Sequence, residues 1–245
     1  MFVVLALLGT LVITTFAACL ARRHGHGLLV GVFVGAVLIS VVVAGKLVNV
    51  FGFTVSAALL LYSATFLLTD TLSEFFGKRF AFRAVAAGLI GDILLVYTVK
   101  MAIMWEPSPY WEGQEAFVAT LGSTWRIVLG SFLAYAAAQF HDVIAYDFWK
   151  RKMGGRHMWW RNNASTWVSQ AVDTVIFYSV AFYGTVPNGI LIRDLILVTF
   201  VIKIVIAAAD TPFLYFIRWY YRRAPIAEPA YETSDVERVT SSVKS

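Results

Sequence analysis

Two polar stripes stand out in an otherwise apolar sequence. Gln139 and Asp142 lie three residues apart in one apolar run, and Gln170 and Asp173 repeat the pair in the next. At 3.6 residues per helical turn, that spacing keeps both side chains on one face. The faces extend further. Tyr135, Gln139, Asp142 and Tyr146 fall at i, i+4, i+7 and i+11, as do Thr166, Gln170, Asp173 and Phe177. A carboxylate inside an apolar span costs about 2.5–3.5 kcal/mol to insert, so such residues face a cavity or a partner and mark a pathway. Carboxylate, amide and aromatic groups together suit a flat, nitrogen-rich heterocycle. The carboxylate accepts both hydrogens of a guanine-like N–H/NH₂ edge, an amide or a lysine donates to its carbonyl, and ring faces hold its plane. The competing reading is that the stripes only glue helices together.

The elements that carry these residues are membrane spans. The chain of 245 residues is 59% hydrophobic and 14% charged, with a mean hydropathy of +0.72. Soluble domains carry about 25% charged residues. Runs of 18 or more residues with at most one charge recur, and each is long enough to cross a bilayer. The expected fold is all-α: a polytopic helical membrane protein. Spans are expected at about Phe2–Leu20, Leu28–Val48, Phe53–Gly77, Ala84–Met104, Thr124–Tyr146, Ser165–Gly184 and Arg193–Ile217, seven in total. The first is expected to be a retained helix rather than a cleaved signal, because Arg22 and Arg23 follow the apolar run and no cation precedes it.

Basic residues alternate sides. The loops after spans one, three and five hold two, three and five Lys/Arg, and those after spans two, four and six hold none. The positive-inside rule then places the N-terminus outside and the C-terminus in the cytoplasm. The net charge of +5 lies in these loops and implies no nucleic acid, and a single cysteine, Cys19, excludes an internal disulfide or a cysteine-based metal cluster. The four histidines are scattered, so neither a metal nor a cofactor is expected.

Other polar positions need partners. Asp70 and Glu74 repel at i, i+4 unless a cation or a proton intervenes. Asp92 sits mid-span, too far from Lys100 for pairing. Lys203 and Asp210 share a face of span seven, and Pro212 is expected to kink or break that helix. Gly31 and Gly35 form a G-x-x-x-G pair, and Gly88 and Gly91 thin one face of span four. Asn49 and Gly52 mark a short turn. No H-E-x-x-H, G-x-S-x-G or P-loop is present, so no enzyme is expected.

Three stretches resemble the queuosine precursor transporter family, also called the vitamin uptake transporter family. They are Thr65–Asp70 continuing through Glu74-Phe75-Phe76-Gly77-Lys78; Gln139-Phe140-His141-Asp142; and Asn163-Ala164-Ser165-Thr166 with Gln170, Asp173-Thr174 and Phe177. Asn49 and Lys203 also fall where that family carries an Asn and a Lys. The resemblance implies six family spans, so the first helix (1–27, with its basic loop) reads as an addition to a core at 28–223, followed by a disordered tail at 224–245. It further implies uptake of 7-cyano- or 7-aminomethyl-7-deazaguanine across the cytoplasmic membrane for tRNA modification. Asn49, Asp70, Glu74, Gln139, Asp142, Gln170, Asp173 and Lys203 are the residues it implies at the substrate. The partners implied are that small molecule and the lipid bilayer, with a homo-oligomer left open. A substrate-binding subunit or carrier for another vitamin or nucleobase is the alternative.

Overall fold

The computed structural model describes residues 2–44, 46–50, 52–122, 125–154, 157–184 and 187–223. Helix α1 (Phe2–His24) turns at Gly25 into α2 (His26–Val43). A hairpin of β1 (Leu47–Val50) and β2 (Phe53–Ser56) leads to α3 (Leu59–Phe75). Helix α4 (Lys78–Met104), a short surface helix α5 (Gln114–Leu121), α6 (Trp125–Lys152) and α7 (Met158–Phe182) follow. The last segment begins as a single turn, α8 (Asn188–Ile190), passes through a π-helical stretch (Leu191–Val198) and continues as α9 (Thr199–Arg222).

The expected helical membrane protein is therefore present, with one departure. The end of span two and the start of span three form a hairpin instead of helix. Lys46, Asn49 and Gly52 interrupt the apolar run there, and Gly52 takes a positive φ of 89° that favours glycine. The Gly52 N–H donates to Asn49 Oδ1 at 2.9 Å and closes the turn. Buried Val50 and Val55 pack the hairpin down against Leu59 and Ile206.

Helix α3 is the hub. It packs against α1, α2, α4, α6 and α9, and every residue from Ser63 to Ser73 is buried. Large apolar side chains point the other way, with Leu5, Ile13 and Phe16 on α1 and Ile90, Ile93 and Leu94 on α4 all exposed. Apolar outside with polar residues enclosed is the arrangement lipid imposes. Among the described residues, four helices are long and apolar enough to cross a membrane by length and composition: Val3–His24, His26–Val43, Lys78–Met104 and Val128–Lys152. Helices α3, α7 and α9 are 17, 25 and 24 residues long, and each buries several polar residues.

Three local expectations change. Helix α7 starts at Met158, so Arg161 lies inside a helix and is fully buried, not in the basic loop. Helix α9 continues across Pro212 without a break, leaving the Ala208 carbonyl without its helical donor. Gly31 and Gly35 face open space, whereas Gly88 and Gly91 meet Tyr135 and Leu38 closely. Arg156, and the tail at 224–245, lie outside the described residues.

Candidate functional site

A cavity opens among α2, α3, α4, α6, α7, the hairpin and the start of α9. Its cavity volume is about 100 Å³, inside about 710 Å³ of empty space that includes the open mouth. Its wall carries Tyr62, Tyr135, Phe177 and Tyr178 together with Asp92, Asp173 and Lys203. Asp173 is held from two sides. The Tyr62 hydroxyl donates to its Oδ1 at 2.6 Å, and Lys203 Nζ pairs with its Oδ2. The same ammonium lies 5.4 Å from the centre of the Tyr62 ring. Three elements thus meet at one ion pair: α3 supplies the ring, α7 the carboxylate and α9 the ammonium. Tyr178 and Thr199 join by a 3.1 Å hydroxyl contact beside it, and Tyr135 donates to the Val85 carbonyl at 3.2 Å. Asp92 also lines the cavity, and its Oδ1 meets no hydrogen-bond donor among the described residues.

A second polar group lies beneath this cavity, where α3, α6, α7 and α9 converge. Gln139 Nε2 donates to Thr65 Oγ1 at 2.9 Å, tying α6 to α3. Ser169 donates to Asp142 Oδ1 at 3.2 Å, and His141 Nδ1 lies 2.9 Å from the same Ser169 hydroxyl. Asp70 and Asp142 stand at one level of the α3–α6 contact, between the Thr69–Gln139 and Tyr146–Glu74 contacts. Asn162 and Asn163 reach Asp210 and Thr211 on α9, at 3.3 and 2.9 Å.

At the end of α3 the chain closes on ion pairs. Arg161 Nη2 meets Glu74 Oε1 at 2.6 Å, and Lys150 Nζ meets Glu74 Oε2 at 3.2 Å. The Tyr146 hydroxyl adds a 3.2 Å bond to Glu74. Lys150 also donates to the Ser73 and Glu74 carbonyls at 3.1 and 2.8 Å, capping the C-terminus of α3. The Asp70–Glu74 repulsion foreseen in the sequence is thus met by cations at Glu74.

The eight implied residues fall into three places. Asp173 and Lys203 line the cavity. Asp70, Glu74, Gln139, Asp142 and Gln170 are not on its wall; they lie in the packed polar region below. Asn49 sits in the exposed hairpin turn. Sequence reasoning passed over Tyr62 and Arg161. Tyr62, Thr65, Thr69 and Ser73 sit at i, i+3, i+7 and i+11, a polar helical stripe that periodicity alone could have found. Arg161 carried no such signal, because its partner Glu74 is 87 residues away.

A family model described as "Putative vitamin uptake transporter" matches residues 56–217, which span α3 through most of α9. This chain belongs to the vitamin uptake transporter family. It is 33% identical over 171 residues to the "Probable queuosine precursor transporter" of Bacillus subtilis (strain 168), covering 69% of this chain and 74% of that one. It is 28% identical over 163 residues to the "Queuosine precursor transporter" of Escherichia coli (strain K12), covering 65% and 71%. It is 27% identical over 137 residues to the "Probable queuosine precursor transporter" of Haemophilus influenzae, covering 55% of each chain. No solved structure matches it. The family match begins at the end of the hairpin, so the cavity's α3, α4, α6, α7 and α9 walls lie inside it, while α1 and α2 lie outside.

Proposed function

We propose that this protein imports queuosine precursors, 7-cyano- or 7-aminomethyl-7-deazaguanine, across the cytoplasmic membrane for tRNA modification. The observation that carries the reading is the Asp173–Lys203 ion pair on the wall of an aromatic-lined cavity. The Asp173 carboxylate takes the N–H and NH₂ of a guanine-like edge, Lys203 donates to the ring carbonyl, and Tyr62, Tyr135 and Tyr178 flank the plane. A carboxylate and an ammonium that already neutralise each other suit a neutral base better than an anion. The similarity to queuosine precursor transporters supports the same substrate class.

Gln139 and Gln170 sit just below the ligand and couple its position to the lower network. Asp70, Glu74 and Asp142 belong to that network and close the cytoplasmic side of the cavity, and Asn49 pins the hairpin at the outer mouth. We place seven spans in the bilayer: α1, α2, α3, α4, α6, α7, and the π-helical stretch with α9. Residues 1–27 are an addition to a six-span core at 28–223. Lys150, Arg151, Lys152, Arg218, Arg222 and Arg223 all mark the same, cytoplasmic, end. The N-terminus is then outside and the cavity faces outward.

Uptake of labelled 7-deazaguanines by the purified protein in liposomes tests the reading. Saturable uptake, blocked by unlabelled 7-deazaguanine but not by unrelated vitamins, is the expected result. No uptake without a separate ATP-hydrolysing module would favour the alternative, a substrate-binding subunit.

A further inference from the structure

Below the cavity, Asp70 on α3 and Asp142 on α6 stand at one level of the α3–α6 contact, between the Thr69–Gln139 contact at 3.5 Å and the Tyr146–Glu74 bond at 3.2 Å. Their exposures are 1% and 0%. Neither Asp70 oxygen meets an N–H or O–H among the described residues, and Asp142 Oδ2 has no such donor either. The residue at the same level on α6 brings another carboxyl. Two carboxylates this close, away from water, cannot both be ionised, and a single proton between them turns repulsion into a hydrogen bond.

The surrounding charges do not remove that need. The ionisable groups around the pair are Asp210 from α9, Arg161 from α7, Tyr146 from α6, Glu74 from α3 itself, and His141 from α6, whose ring reaches the Ser169 hydroxyl that donates to Asp142. Asp210 adds negative charge. Arg161, the one cation in this set, is already paired with Glu74. Helices α1, α2 and α4 meet α3 in an apolar cluster that includes Leu11, Leu29, Phe33 and Val85.

A second observation points to traffic through this region. Gln170 is fully buried, and neither atom of its amide has a partner among the described residues. It stands three residues from Asp173 in the cavity wall. It also stands one turn from Thr166, whose buried hydroxyl likewise has no partner among the described residues. Polar side chains therefore run along α7 from the cavity to the carboxyl pair. Asn162, one turn further on, continues the line to Asp210.

We propose that the Asp70–Asp142 pair binds one proton and couples substrate import to proton entry. This rests on the reading that the chain moves a deazaguanine through the cavity above. The proton arrives from the outer side along Asp173, Gln170 and Thr166 and ties α3 to α6. With substrate bound, the protonated pair lets the cavity open to either side; once substrate has left inward, release of the proton to cytoplasmic water leaves two like charges face to face and lets the empty carrier return. The proton crosses with the substrate, and no covalent bond in the substrate changes.

The test uses the full chain in liposomes loaded with a pH-sensitive dye, with 7-cyano-7-deazaguanine outside. That compound has no aliphatic amine to carry protons itself. Substrate entry is expected to acidify the lumen by about one proton per molecule. An inside-alkaline gradient of about one pH unit is expected to concentrate substrate about tenfold, and a sodium gradient is expected to do nothing. Asp70→Asn and Asp142→Asn are each expected to abolish acidification while substrate-for-substrate exchange continues. Exchange by the wild type without acidification overturns the proposal, as does an Asn variant that still acidifies. A variant that loses exchange together with acidification overturns the separation of the two sites. If the wild type neither takes up nor exchanges the compound, the substrate reading fails, and the proposal with it.

Discussion

Glu74→Gln tests the inner closure most sharply. The substitution keeps the shape of the side chain and an oxygen for the Tyr146 hydroxyl, but removes the charge. Arg161 is 0% exposed and then has no carboxylate at ion-pair distance among the described residues. Leaving one partner of a buried pair uncompensated costs about 3–5 kcal/mol. For a chain of this size each kcal/mol moves the midpoint by about 2–4 °C, so the loss is about 6–20 °C. Lys150→Met is the control. Lys150 is 31% exposed, so its pairing with Glu74 is screened. Its pair contributes at most about 1 kcal/mol, and its two bonds to carbonyls add about 1 kcal/mol each before water replaces them. The assay is thermal unfolding in detergent, followed by the fluorescence of the eight tryptophans. Glu74→Gln is expected to melt well below Lys150→Met, and the double variant Glu74→Gln with Arg161→Met is expected to recover most of the loss. A Glu74→Gln midpoint equal to or above that of Lys150→Met refutes the reasoning.

Further tests bear on the cavity and its frame. Asp92→Asn is expected to weaken 7-aminomethyl-7-deazaguanine more than the cyano compound, by about tenfold in relative affinity, because an unpaired wall carboxylate attracts an ammonium; competition binding measures the ratio. Tyr62→Phe removes the 2.6 Å donor to Asp173 and is expected to weaken ligand about three- to tenfold in the same titration. Gly88→Ala places a methyl 2.2 Å from the Tyr135 hydroxyl as it now lies, so the ring must shift and its bond to Val85 is lost. About 1 kcal/mol of stability is expected to go with that bond. Gly31→Ala meets nothing within 4 Å and is expected to leave the melting midpoint unchanged.

The fold was legible where hydropathy and charge act over long stretches. Helical spans, the alternation of basic ends and the Asn49–Gly52 turn all follow from local composition. The hairpin was not, because its valines and phenylalanine read as either strand or span, and only the short interruptions mark it. The start of α7 was misplaced for a related reason. Arg161, Asn162 and Asn163 lower hydropathy as a loop would, yet they are buried because Glu74, Asp210 and Thr211 from distant elements meet them. Both Asp173 and Lys203 were chosen from the sequence, and they pair directly. The division between a cavity and a lower network was not legible. Asp142 and Asp173 share a stripe pattern, but Ser169, Asp142's partner, lies one turn below Asp173 on α7, about 6 Å along the helix. That offset puts one carboxylate on the cavity wall and the other beneath it.

The claim on which the account turns is that Asp173 and Lys203 bind the base. Equilibrium titration of the detergent-purified protein with 7-cyano-7-deazaguanine measures it directly. Asp173→Asn and Lys203→Met are each expected to lower affinity by at least about tenfold, since each leaves a buried polar or charged partner unmatched. Wild-type affinity in both variants, with both folded, would contradict it.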